Sequence, residues 1–159
     1  MRRIDALMGR SALVGMLVAA VASSLASSSS AHSTARTARA ISLSEIAHLR
    51  LTSHHGFTLN EVGSATGTIR GTIYIHLHLV STNYVAAEVN IYLRGGSISG
   101  VARAGYHVNG ATASFSGTMN VLRGTGGYGR AHGSGLGFSG TVRRFDDAVT
   151  VRLSGRMSD

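Results

Sequence analysis

Two histidines at i and i+2, His76-x-His78, are the residues in this chain best spaced for chemistry. On a β-strand such a pair shares one face, about 6.6 Å apart along the backbone. Neutral imidazole is a common ligand for zinc and other transition metals. A third ligand follows from register. If 68–80 and 84–94 pair as a hairpin around Ser81-Thr82-Asn83, Glu88 lies opposite His76 and Ala86 opposite His78. His76, His78 and Glu88 are therefore the candidate metal ligands, a two-His, one-carboxylate patch. The same three residues also suit a solvated strand face with His76–Glu88 as a cross-strand pair.

Other constellations are weaker. The run Gly124-Thr125-Gly126-Gly127-Tyr128-Gly129-Arg130-Ala131-His132-Gly133-Ser134-Gly135 has the glycine density of a phosphate loop, but lacks Gly-Lys-Ser/Thr and a following helix. It reads as turn and bulge. Gly133-Ser134-Gly135 lacks the G-x-S-x-G elbow. Asp146-Asp147 reads as a turn, and His54-His55 as a surface loop. Tyr74 and Tyr92 fall on the polar strand face with Glu88 and offer a shared aromatic patch. No catalytic set emerges, no ligand-binding residue is singled out, and no motif calls for a cofactor.

The elements that must position these residues are short strands. In 68–80, Ile69, Ile73, Ile75, Leu77 and Leu79 alternate with Thr68, Arg70, Thr72, Tyr74, His76 and His78. In 84–94, Val85, Ala87, Val89, Ile91 and Leu93 alternate with polar residues, and Phe115, Met119, Phe138, Val149, Val151 and Leu153 continue the period. Period two marks antiparallel strands with one packed face. Glu88 reads as the one carboxylate within a strand, on the outward face. Turn signals stand at 81–83, 94–96, 109–110, 124–135 and 146–147. Gly71, Gly100, Gly117, Gly137 and Gly140 interrupt strands, where glycine marks bulges or close backbone approach. The expected fold is all-β: an antiparallel closed barrel of about seven or eight strands, with a two-sheet sandwich as the alternative. Residues 41–48 are expected to open with a helical turn.

The stretch from Gly124 to Gly140 resembles the G-T-G-x-Y-x-x-A-x-G-x-G-x-x-x-G signature of the allene oxide cyclase-like and dirigent-like barrels. Gly95-Gly96-Ser97-Ile98-Ser99-Gly100 and Phe115-Ser116-Gly117 resemble the strands before it, so that the likeness runs over 57–154. The resemblance implies a barrel that holds an apolar or amphipathic small molecule, or a cyclase assisted by a buried carboxylate and a proline-containing pocket. This chain has no proline, and Glu88 faces away from the barrel interior on this reading.

Composition bounds the rest. The 159 residues contain no cysteine, which excludes disulfide scaffolds, thiolate metal sites and thiol nucleophiles. The net charge of +8 falls to +4 beyond residue 40, where ten arginines and six acids are scattered. A nucleic-acid surface gathers its cations on one stripe, so nucleic acid is not an expected partner. Arg2, Arg3 and Arg10 precede the apolar run Ala12–Ala22, with small-residue cleavage sites ending at Ala26 or Ala31. That run is too short to span a bilayer. The expected organisation is a signal peptide over 1–31, a flexible linker over 32–43 and a β-barrel over 44–159, secreted or held at a bacterial cell surface. No membrane span is expected in the mature chain, and the alternation permits homo-oligomers. Three functions fit: a barrel binding an apolar or amphipathic ligand, a cyclase- or isomerase-like enzyme of the same fold, and a surface module with a filled core. An open apolar interior supports the first two, an inward acid the second, and a core filled by Phe115, Met119 and Phe138 the third.

Overall fold

The computed structural model describes residues 39–159, so the expected signal peptide and residues 32–38 of the expected linker lie outside the described residues. Eight strands follow one another: β1 (Ala40–His55), β2 (Thr58–Gly67), β3 (Gly71–Ser81), β4 (Tyr84–Leu93), β5 (Gly96–Asn109), β6 (Thr112–Gly126), β7 (Gly133–Arg143) and β8 (Ala148–Ser158). Each is antiparallel to the next, and β8 pairs with β1 from Ala40↔Ser158 to Arg50↔Ala148. The sheet is a closed barrel in sequence order. Closure leaves no strand edge with unpaired N–H and C=O groups.

The expected helical turn at 41–48 is β-strand. Ile41, Leu43, Glu45, Ala47 and Leu49 form its inward row, and strand pairing to β8 already includes Ala40–Leu43, which the sequence assigns to a linker. His54 and His55 likewise belong to β1, opposite Leu59 and Thr58, rather than to a loop.

The inward rows meet in one core. Ile73, Ile75, Val89, Ile91, Met119, Leu136, Phe138 and Leu153 are fully buried. Phe115 and Phe138, diagonal neighbours on the paired strands β6 and β7, lie with ring centroids 5.1 Å apart in the core. An eight-stranded barrel is just wide enough for side chains to fill, and here they fill it. Removing the Phe138 ring should cost about 3–5 kcal/mol, the range for truncating a buried aromatic; a urea midpoint for Phe138→Ala close to that of the parent would show that this ring is not part of the packing.

Glycine supplies the curvature. At Gly100 the β5–β6 register shifts, so that Leu122 becomes an extra residue and turns outward, 62% exposed. A side chain on Gly140 would collide with the Phe115 ring. The 124–135 run forms the end of β6, a turn over 127–130, a bridge from His132 to Ser158 and the start of β7, with no helix after it.

The barrel has two ends. The turns at 56–57, 82–83, 110–111 and 144–147 share one end, and those at 68–70, 94–95 and 127–130 share the other. At the first end, Arg144 N–H donates to the Ala111 carbonyl (2.9 Å) and Leu79 N–H to the Phe57 carbonyl (3.0 Å). Among the described residues no helix is long and apolar enough to cross a membrane. The outer face carries His48, Arg50, His76, Glu88 and Arg103 beside the exposed apolar residues Ile46, Val101 and Leu122.

Candidate functional site

Two places concentrate polar side chains with unusual surroundings: two acids inside the barrel, and the outer wall over β3–β5.

Glu45 and Glu61 are the buried charged residues of the core, 2% and 4% exposed. Both point inward because they occupy the apolar phase of the alternation, Glu45 between Leu43 and Ala47, Glu61 between Leu59 and Gly63. Glu88 is therefore not the only acid within a strand, as the sequence suggests. Glu45 stands opposite Gly67 on β2 and Leu153 on β8. Its Oε1 accepts a hydrogen bond from Ile69 N–H at 2.7 Å. Burial pushes its carboxyl above the usual range, while the backbone N–H groups of Ile69 and Thr68 pull it back. Glu61 stands opposite Leu51 on β1 and Ile75 on β3. Burial, and secondarily the charge of Asp147, push its carboxyl up to about 7. One oxygen of each acid, Oε2, has no hydrogen-bond partner. Burial disfavours the ionised form of both acids, and at Glu45 the backbone N–H groups oppose that effect.

On the wall, the hairpin register is the one the alternation predicts: His76 opposite Glu88, His78 opposite Ala86. The rings, however, are anchored sideways to β2. His76 Nδ1 hydrogen-bonds Asn60 Oδ1, while Asn60 Nδ2 donates to Ser53 Oγ at 2.8 Å. Because Asn60 thus offers its carbonyl to the ring, the neutral form of His76 that suits this contact carries its proton on Nδ1 and has Nε2 as an acceptor. His78 Nδ1 lies 3.2 Å from Thr58 Oγ1. The two rings sit like successive rungs, each tied to its own β2 partner. Among the described residues no three or more His, Asp or Glu side chains converge as a metal site.

Two depressions adjoin at His76. One, of about 330 Å³, is lined by Thr72, Tyr74, His76, Asn90 and Tyr92. The other, of about 400 Å³, includes Thr58, His78, Glu88, Val101 and Arg103. Tyr74 and Tyr92 meet edge to face, centroids 5.5 Å apart at 87°, and are 43% and 55% exposed. Ser99 Oγ donates to Asn90 Oδ1 at 2.7 Å, which orients the Asn90 amide.

The remaining sequence candidates take structural roles. Asp146 accepts a hydrogen bond from Arg143 Nη2 at 2.7 Å and another from Ala148 N–H at 3.3 Å, closing the β7–β8 turn. Ser134 is an ordinary residue of β7. The buried acids are the residues that the sequence conceals, although Leu43-x-Glu45-x-Ala47-x-Leu49 and Leu59-x-Glu61-x-Gly63-x-Ala65 contain the signal: an acid in the inward phase of a period-two run.

Comparison with protein-family models, with curated proteins and with solved structures finds no match to this chain.

Proposed function

We propose that this chain is an exported β-barrel module of the allene oxide cyclase-like and dirigent-like type, filled by its own side chains, that binds its partner on the outer wall of β3–β5. One contrast carries this reading. The barrel interior is occupied by Phe115, Met119, Leu136 and Phe138, whereas two depressions joined at His76 hold an exposed aromatic pair among oriented polar groups. Export follows from the basic n-region and short apolar run of residues 2–22. A packed interior favours the surface-module reading over an apolar ligand held inside.

The test is co-sedimentation of the purified protein with the envelope fraction of the organism that produces it. The protein is expected to sediment, and Tyr74→Ala with Tyr92→Ala to release it. Equal sedimentation of the double variant would overturn the wall as the binding surface. Native mass spectrometry should show the bare chain; an organic mass excess that disappears on denaturation would move the site into the barrel.

Glu61 favours a second reading, an isomerase-like enzyme with an acid inside the barrel, because a buried carboxyl with one unpartnered oxygen, pushed up to about 7, suits proton transfer near neutral pH. A small molecule whose mass excess vanishes in Glu61→Gln would support it; a bare mass in both forms would count against it.

A further inference from the structure

The geometry points to a neutral glycan as the occupant of the wall, an inference that rests on the wall reading proposed above. Two tyrosine rings lie half exposed among the polar side chains of Thr72, His76 and Asn90. A sugar presents apolar C–H faces between rows of hydroxyls, and an aromatic ring set among hydrogen-bonding groups matches that alternation. The polar groups around the rings are of complementary kinds. Asn90 has its Oδ1 engaged by Ser99, so its Nδ2 remains a donor. His76, held at Nδ1 by Asn60, presents Nε2 as an acceptor in its neutral form. Thr72 adds a hydroxyl that can serve either way. Donor, acceptor and hydroxyl in one depression beside an aromatic face suit vicinal hydroxyl groups.

Charge and shape narrow the class further. In the second depression Glu88 and Arg103 have opposite sign, so the wall accumulates no net charge to select a phosphorylated or sulfated polymer. The strip from Thr72 to His78 runs along β3 for about 20 Å at the usual strand rise, enough for several sugar rings in a row. A peptide that adds itself as a further strand would need an open sheet edge, and the closed barrel has none.

The experiment is a glycan array carrying neutral and anionic oligosaccharides, probed with the purified, labelled protein. Binding to neutral members is expected. Tyr74→Ala and Tyr92→Ala should each weaken it about tenfold, the effect of losing about 1.4 kcal/mol of stacking. Tyr92→Phe, which keeps the ring, should restore most of it, and Ser134→Ala on β7 should leave it unchanged. Far-ultraviolet circular dichroism of every variant separates lost binding from lost fold. Binding confined to anionic members, binding unaffected by the tyrosine changes, or no binding at all would each overturn the inference. If the array is blank while envelope sedimentation still depends on Tyr92, the glycan class fails and the wall reading stands; if both are lost, both fail.

Discussion

Replacing Glu61 by glutamine is expected to make the barrel more stable at pH 8 by about 3 kcal/mol and to change it little at pH 4. In the unfolded chain this carboxyl ionises from its ordinary value of 4.5; inside the barrel it keeps its proton until about 7. Between those values the folded state binds a proton that the unfolded state has released, so stability falls as pH rises. Above about 7 both states are ionised and no more is lost. The interval amounts to about 3 kcal/mol at roughly 1.4 kcal/mol per pH step. Glutamine has nearly the same shape and no charge to lose, so the variant lacks this part of the fall. Glu45, also raised by burial, remains in the variant and leaves it some slope. Urea midpoints at pH 4, 6 and 8 measure the difference, and parallel pH curves for parent and variant would refute the burial of an acid at this position. Asp147→Asn should narrow the gap, because the Asp147 charge helps to hold the proton on Glu61.

The second large effect is expected on β2. A side chain on Gly63 would strike the backbone carbonyl of His48 across the β1–β2 ladder and come within 2.7 Å of the Leu49 Cα. The obstacle is backbone, which has no rotamer to change, so the strand pair itself must shift. Gly63→Val should cost about 3 kcal/mol or more, at the upper end of overpacking penalties. Gly56 is the instructive contrast. It lies in the β1–β2 turn with φ +57° and open space around it. Gly56→Ala meets only the left-handed backbone penalty of roughly 1–2 kcal/mol. Denaturation midpoints of the two variants should therefore differ clearly; equal losses would show that Gly63 has room for a side chain.

The hairpin β3–β4 was legible residue by residue. Ile73, Ile75 and Leu77 must face Val89, Ala87 and their neighbours for one face to be apolar, and that condition together with a turn at 81–83 sets His76 opposite Glu88. β1 and β2 were hidden by the feature that sets them apart. Their inward rows contain Glu45, Ala47, Glu61 and Gly63 where the pattern calls for large apolar residues, so an inward acid reads as an outward one and the period is lost. The metal candidates were close in sequence and register, yet the direction of each ring depends on Asn60 and Thr58, which belong to a different strand.

The sequence by itself determined which residues alternate, where most of the chain turns, and hence a curved antiparallel sheet with His76, His78, Tyr74 and Tyr92 on its polar face. These are local properties: side-chain period and turn chemistry act over a few residues. The closed barrel was the expected fold, but the choice of barrel over sandwich, the burial of the acids and the shape of the wall were decided only by tertiary structure. β1 meets β8 across the whole length of the barrel, and Asp147 reaches Glu61 from the far end of the chain. A carboxyl's proton affinity is set by the dielectric and charges around it, and those surroundings exist only once the last strand has paired with the first.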